Sequence, residues 1–372
     1  PFPFYLDRYD PKKIYCIALT IFEGYSMASI DLGGGFGCIA IHDTEEKITP
    51  SKPLSFAFEV EESVGIISKA VLLISTRSMR SIYNSRLRIS VNGFNISRIA
   101  KPFSELLYKG EYHSIFTYDL MPIRERISDR TEIEIDSKDH EIYVDGISLV
   151  TIHMLEMDNE YSSNSIHTGP YVLSNGERAY IKVRSFKGGD MFIRGIATPR
   201  VRSQADMDLS LGSNNIAKKI PIYTHTELYI KIPNTVVDGD EEIELRIMCS
   251  SAECYTKIPW IFITSSRIKS PEYVIKDLFI SDDEKTVILE FENLGDIDAS
   301  ELRAIAIWRG NIVGRSVIKP SKSGKIALPI TIKGAYSGNN DLKKYPLIVR
   351  IIWKWLGRVE ERERILTRPG PA

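Results

Sequence analysis

The stretch "VDGDEEIELRI" gathers Asp238, Asp240, Glu241 and Glu242 around Gly239, a density of carboxylate oxygens suited to a hard divalent cation. A helix-flanked calcium loop needs the spacing D-x-[DN]-x-[DN]-G-x5-E, which these residues lack. The acids are therefore expected to form a turn. Six histidines, at 42, 113, 140, 153, 167 and 225, stand apart from one another and from any cysteine pair, so convergent imidazole ligands are not expected. "CSSAEC" sets Cys249 and Cys254 at a zinc-like interval, but a structural site needs four ligands and no second pair lies nearby. Cys249 and Cys254 are expected as a disulfide or as two thiols near a strand end. Cys16 and Cys38 can form a second bridge, the pairing staying open. Neither metal nor cofactor is expected.

The glycines of "DLGGGFG" (31–37) lie between two apolar strands instead of opening a helix, and lack G-x-x-x-x-G-K-[ST], so a turn is expected and not a phosphate cradle. No G-x-S-x-G elbow occurs, and "EVEE" (59–62) reads as exposed strand charge. No catalytic residue is assigned. Trp260, Trp308, Trp353 and Trp355 have rings that stack on sugars. In "PLIVRIIWKWLG", however, Val349, Ile351, Trp353 and Trp355 alternate with Arg350 and Lys354, which predicts core. "NIS" (95–97) is a glycosylation sequon on Asn95.

What must position these residues is almost entirely strand. "LRISV" (87–91), "TEIEID" (131–136), "AYIKVRS" (179–185), "EIELRI" (242–247) and "TVILEFEN" (286–293) alternate apolar and polar groups with period two. "VNGFN", "SNGE", "FKGGD" and "NLGD" punctuate them with turn chemistry. The helical candidates are short: "FSELLYKG" (103–110) and part of "LMPIRERIS" (120–128).

One supersecondary unit recurs. "TYDLMPIRERISDRTEIEI" (117–135) and "LYIKIPNTVVDGDEEIELRI" (228–247) each run from an apolar strand through Pro122 or Pro233, an aliphatic stretch and a polar turn into an alternating strand. Ile133 and Ile135 then correspond to Ile243 and Leu245 on the inward face. A second apolar strand follows each, "ISLVTIHML" (147–155) and "PWIFITSS" (259–266). Strands at 13–22 and 37–43 are expected to enlarge the first unit. The expected fold is all-β, three tandem antiparallel β-sandwiches, two jelly-roll-like and one immunoglobulin-like. Its parts are an extended arm at 1–13, sandwiches at 14–158, 159–268 and 269–367, and a tail at 368–372.

The two earlier units, through "RLRISVNGFNIS" followed by "YDLMPIRERISDRTEIEI", resemble galactose-binding-like jelly rolls, a resemblance that implies a glycan-binding or accessory module. "VIKDLFISDDEKTVILEFENLGDIDASELRAIAIWRG", with its strand ending at Asn293 and Gly295, is similar to adhesion-related immunoglobulin-like domains of bacterial and archaeal surface proteins.

Charge is balanced, 48 Lys and Arg against 49 Asp and Glu, and interleaved, so neither nucleic acid nor an anionic membrane is expected as an obligatory partner. No apolar run approaches the length of a membrane span. A single glutamine, Gln204, amid abundant Ile, Glu, Lys and Arg predicts a protein that works hot. The first residue, Pro1 where Met is usual, is read as a processed terminus or as the start of a segment from a longer product. "PFPFYL" carries Phe2, Phe4, Tyr5 and Leu6, and its prolines favour an extended arm that packs on its own first domain or docks in a neighbouring subunit. The expected role is a non-enzymatic structural or adhesive subunit of a homopolymeric cell-surface or filamentous assembly. Identical subunits are the expected partners, with glycan binding as the alternative and a cytoplasmic location still compatible.

Overall fold

A computed structural model describes residues 17–21, 26–42, 45–60, 66–97, 102–154, 162–174, 176, 178–184, 190–199, 205–211, 214–222, 226–232, 242–249, 255–281, 285–331, 345–355 and 358–366. The described chain is nearly all strand, in antiparallel sheets that pair into three sandwiches. The arm residues Phe2, Phe4, Tyr5 and Leu6, the acids at 238–241, and Cys16 and Cys254 lie outside the described residues.

The chain enters through β1 (Ile17–Ile21) and β2 (Ser26–Gly33). The first unit follows as β3 (Phe36–His42), β4 (Glu46–Ile48), β5 (Leu54–Glu59), β6 (Ile66–Ser78), β7 (Leu87–Val91), β8 (Phe94–Asn95), β9 (Ser104–Tyr108), β10 (Glu111–Asp119), β11 (Arg130–Ser137) and β12 (Ile142–Met154). The second comprises β13 (Ser162–Ser174), β14 (Arg178–Arg184), β15 (Asp190–Pro199), β16 (Ala205–Leu211), β17 (Asn214–Ile222), β18 (Thr226–Ile232), β19 (Glu242–Cys249) and β20 (Tyr255–Ser266). In the first unit one sheet has the order β3-β12-β6-β10 and the other β5-β11-β7-β8; in the second the orders are β13-β20-β15-β18 and β14-β19-β16-β17. Both pairs are the same jelly roll, with β3 matching β13, β5 matching β14 and so on to β12 matching β20. The recurring sequence unit therefore marks equivalent strands, β11 and β19, each flanked by two neighbours in an outer sheet. Ile133 and Ile135 are buried, as their alternation predicts.

The two jelly rolls stand back to back. Ala70, Leu72, Ile74, Ile147 and Leu149 pack toward the first unit's own outer sheet, whereas Val71, Leu73, Val150 and Ile152 join Ile166, Ile196, Trp260 and Phe262 of the second unit in a separate core. The sheet containing β6 and β12 is thus buried on both faces.

Three expectations change. Strand 17–21 does not enlarge the first unit: β1 pairs β2, and β2 pairs β13 from Asn164 to Thr168, extending the second unit's sheet. The first jelly roll is complete with strands from 36 onward, while β13 would otherwise leave an open edge, so the hairpin covers it. The passage between sheets uses the glycine run. Gly33 (φ 78°) and Gly35 (φ 116°) take left-handed conformations, and a Cβ at Gly37 would stand 2.3 Å from the side-chain oxygen of Asn164. Asn164 and Ser162 hold the turn by hydrogen bonds to Gly33 and Gly35. Second, "FSELLYKG" is strand and turn, not helix: Lys109 (φ 48°) and Gly110 (φ 85°) form a two-residue hairpin of the type that matches strand twist, as do Asn92–Gly93 and Arg309–Gly310. Third, 121–126 of "LMPIRERIS" is 3-10 helix with Pro122 in its first turn.

The third unit, β21 (Tyr273–Ile280), β22 (Thr286–Asn293), β23 (Glu301–Trp308), β24 (Asn311–Ile318), β25 (Ser323–Pro329), β26 (Leu347–Trp355) and β27 (Arg358–Leu366), sets the sheet β21-β22-β25 on β24-β23-β26-β27. It is an immunoglobulin-like sandwich with Leu289, Phe291, Val349, Ile351 and Trp353 in its core. Buried Asn293 accepts from the backbone N–H of Glu272 and Gly295 and donates to Ile297 O. The Asn and Gly of the turn thereby seat the linker, since a Cβ at Gly295 would meet Ser270 O at 2.1 Å.

The crowding at Gly37 makes a prediction. Gly37→Ala is expected to destabilise the chain by about 1–3 kcal/mol, the usual range for an overpacked site. Chemical denaturation of the two proteins checks it.

Candidate functional site: an inter-unit cleft and a buried ion set

Along β15, β18 and β20 the face that packs on the first unit continues past the first unit's edge. Trp260 and Phe262 lie in the shared core, and the next residues on that face, Thr264 and Ser266, lie in a cleft. Phe192 and Arg194 precede core residue Ile196 on β15 in the same way, and Tyr229 and Lys231 project from β18. Strands β26 and β27 of the third unit form the other wall with Trp353, Trp355, Glu360 and Arg362. The cleft measures about 150 Å³.

Its polar groups are paired. Arg194 donates to Glu227 at 2.7 Å through Nη2 and 3.2 Å through Nε. Tyr229 OH donates to Glu360 at 3.3 Å, which joins the second unit to the third. Lys231 Nζ lies 3.3 Å from both Asp190 and Ser270 Oγ, and it stands over the Phe192 ring. Ser270 donates twice to Asp190, at 3.2 Å from N and 2.8 Å from Oγ. Arg362 pairs with Glu272 at 3.1 Å. Phe192 and Tyr229 are tilted rings with centroids 6.1 Å apart.

A second cluster lies at the interface of the jelly rolls. Asp145 accepts from Lys257 Nζ at 2.7 Å and from Arg77 Nε at 3.0 Å, and Lys257 also donates to Thr76 O. Local irregularities aim both partners. Asp145 falls where the β12–β6 register shifts between Val144 and Gly146, a bulge that turns the extra residue toward the second unit. Pro259, which has no N–H to give, falls where both ladders of β20 shift register, and this reorients Lys257. Burial raises the Asp145 carboxyl, but Lys257 and Arg77 together outweigh it and hold it below its ordinary range. Burial pulls the Lys257 ammonium down against the opposing pull of Asp145. Arg77 extends the set outward to Glu45 and Glu111.

The residues singled out from sequence are dispersed. Cys38 is buried in β3, and Cys249 closes β19. Asn95 is half-buried, its side-chain oxygen accepting from the N–H and hydroxyl of Ser97 at 2.9 Å each. Trp260, Trp308 and Trp353 are core, the last as its alternation predicts; Trp355, expected in the core by the same alternation, is instead half-buried and faces the cleft, because its strand runs past the packed interior there. Among the described residues no three of His, Cys, Asp and Glu are grouped as a metal site. The cleft was missed because its residues come from three distant segments. The available signal was Tyr229, an aromatic between Glu227 and Lys231 on the polar face of its strand.

Two outcomes follow from the buried groups. Asp145→Asn leaves the buried Lys257 ammonium without a carboxylate beside the partly exposed Arg77 and is expected to cost about 3–5 kcal/mol, whereas Lys257→Met keeps the Asp145–Arg77 pair and should cost clearly less. Denaturation of both variants gives the order. His167, buried on β13 with Ser165 Oγ 3.0 Å from Nε2, has its pKa lowered by desolvation from 6.5 to about 4. Between these values the unfolded chain binds the proton and the folded chain does not, so stability falls as pH drops from 6.5 toward 4, by up to about 3 kcal/mol for this group. His167→Leu should flatten that slope in denaturation series across the interval.

No protein-family profile matches the sequence, and no curated protein does. Among solved structures, a β-D-glucuronidase of Dictyoglomus thermophilum shows 11% identity and a TM-score of 0.21 over 57% of this chain and 44% of its own. A Ruminococcus gnavus β-glucuronidase shows 10% identity and a TM-score of 0.20 over 57% of this chain and 37% of its own. The chain thus covers less than half the length of either enzyme, and a likeness at that TM-score carries no argument about its activity.

Proposed function

We propose that this chain is a non-enzymatic structural or adhesive subunit of a homopolymeric assembly at the cell surface or in a filament, with identical subunits as its principal partners. The observation that supports the reading is the fixed arrangement of its two jelly rolls. Inter-domain motion is the ordinary expectation for tandem domains unless the interface is large and apolar. Here the jelly rolls share an apolar core and a buried ion set, and the linker to the third unit is held by Asp190, Ser270 and Lys231. A building block that transmits position from one end to the other needs such joints.

Subunit contacts fit the third unit. The outer strand β27 reads RVEERERIL, an edge blunted by charge, whereas β24 at the opposite end of the sheet has Arg315 as its one charge and exposes Ile312 (63%) and Val317 (76%). An apolar segment such as that of Phe2, Phe4, Tyr5 and Leu6 from another copy would add to an edge of this kind, and a head-to-tail exchange of such segments propagates without closing. The likeness of this unit to adhesion-related domains, a high working temperature and an extracellular location belong to the same proposal.

Electron microscopy of the full chain is expected to show long assemblies. Deleting residues 1–8, or making Val317→Lys, should leave folded monomers; the same large assembly persisting in both variants overturns the reading.

A further inference from the structure

The assembly reading leaves the cleft without a task. We propose that the cleft binds a single pyranose ring of a glycan, laid against Tyr229 and Trp355.

The chemistry of the walls selects among ligand classes. Each cation in the cleft already faces a carboxylate: Arg194 with Glu227 at 2.7 Å, Lys231 with Asp190 at 3.3 Å and Arg362 with Glu272 at 3.1 Å. A phosphate or a polyanion would have to displace those acids, so it finds no surplus charge to pair with. A wholly apolar ligand would suit the largely apolar walls but not the polar groups set among them. It would strip water from three ion pairs and from the Tyr229–Glu360 hydrogen bond and return nothing to them. A sugar meets both demands. Its C–H face lies on an aromatic ring, and its hydroxyls donate to carboxylates and accept from cations in the same plane.

Size and placement agree with one ring. A cleft of about 150 Å³ has room for about five waters at their share of liquid volume, a space on the scale of one sugar ring and not of a long oligosaccharide. The aromatic rings have different duties. Trp353 is only 3% exposed and packs on Tyr273 in the core, whereas Trp355, two residues further along β26, is half-buried at the cleft. Tyr229 enters from the second unit, so a bound ring would touch both units and tighten the joint between them.

Isothermal titration of the full chain with the methyl glycosides of glucose, galactose, mannose and N-acetylglucosamine tests the proposal, with inorganic phosphate as the competing probe. Saturable binding of at least one glycoside is expected, weakened about tenfold by Trp355→Ala and by Tyr229→Ala, the size of one lost aromatic contact. Circular dichroism checks that the variants fold; should either unfold, Glu360→Gln is read in its place, with weaker binding again expected. Absence of saturable binding by all four glycosides up to about 50 mM, unchanged affinity in the folded variants, or tighter binding of phosphate overturns the site. The outcome is independent of polymerisation, which removal of the arm tests separately.

Discussion

A β-sheet that is buried on both faces has no polar side to spare, and two such sheets stand at the centre of this protein. The sheet of β6 and β12 packs one face on its own outer sheet and the other on the neighbouring jelly roll. That arrangement dictates composition. Strands with one wet face alternate, whereas strands covered twice read as unbroken apolar runs. "KAVLLIST" on β6, "ISLVTIHM" on β12 and "PWIFIT" on β20 are runs of this kind, while the alternating "TEIEID" and "LRISV" lie in the outer sheet of the first unit. Polar atoms at the shared interface are answered across it, as where Trp260 Nε1 donates to Ser148 Oγ at 3.0 Å.

Much of this was legible and some was not, for physical reasons. Period-two alternation and turn chemistry identified the strands and the all-β class, and the duplicated segment located equivalent strands of two jelly rolls. The apolar runs were visible too, but a run says only that both faces are covered, not by what. The partner of a sheet is a long-range fact, and so is the pairing of β2 with β13 across more than a hundred residues. "FSELLYKG" misled because Glu, Leu and Lys are good helix formers taken singly; the Lys109–Gly110 hairpin and pairing with β10 overrode that preference. The cleft was the least legible feature. It exists because one sheet overhangs its partner, and no local pattern records an overhang.

The ion set and the cleft are two answers to one problem, which is how a doubly covered sheet ends. Where the second unit's sheet stays under the first, a buried charge has to be matched, and Asp145, Lys257 and Arg77 match it through bulges on equivalent strands of the duplicated unit. Such a set adds little net stability compared with apolar packing, because desolvation offsets most of the attraction. Its effect falls on the alternatives. A slip of one residue between the two sheets would bury Lys257 without its carboxylate, and the apolar faces alone, broadly tolerant of sliding, impose no comparable penalty.

Beyond the first unit's edge the same face meets the third unit instead, and there its side chains change from Trp260 and Phe262 to Thr264 and Ser266 within one strand. The substitution marks where water is readmitted. Charges on β15 and β18 can then stay solvated, paired but reachable, which buried Asp145 is not. Fixity and accessibility thus come from one face of one sheet, divided by how far its neighbour extends. A ligand site at this boundary needs no machinery of its own, because the cover that holds the units in register also sets the depth of the cleft.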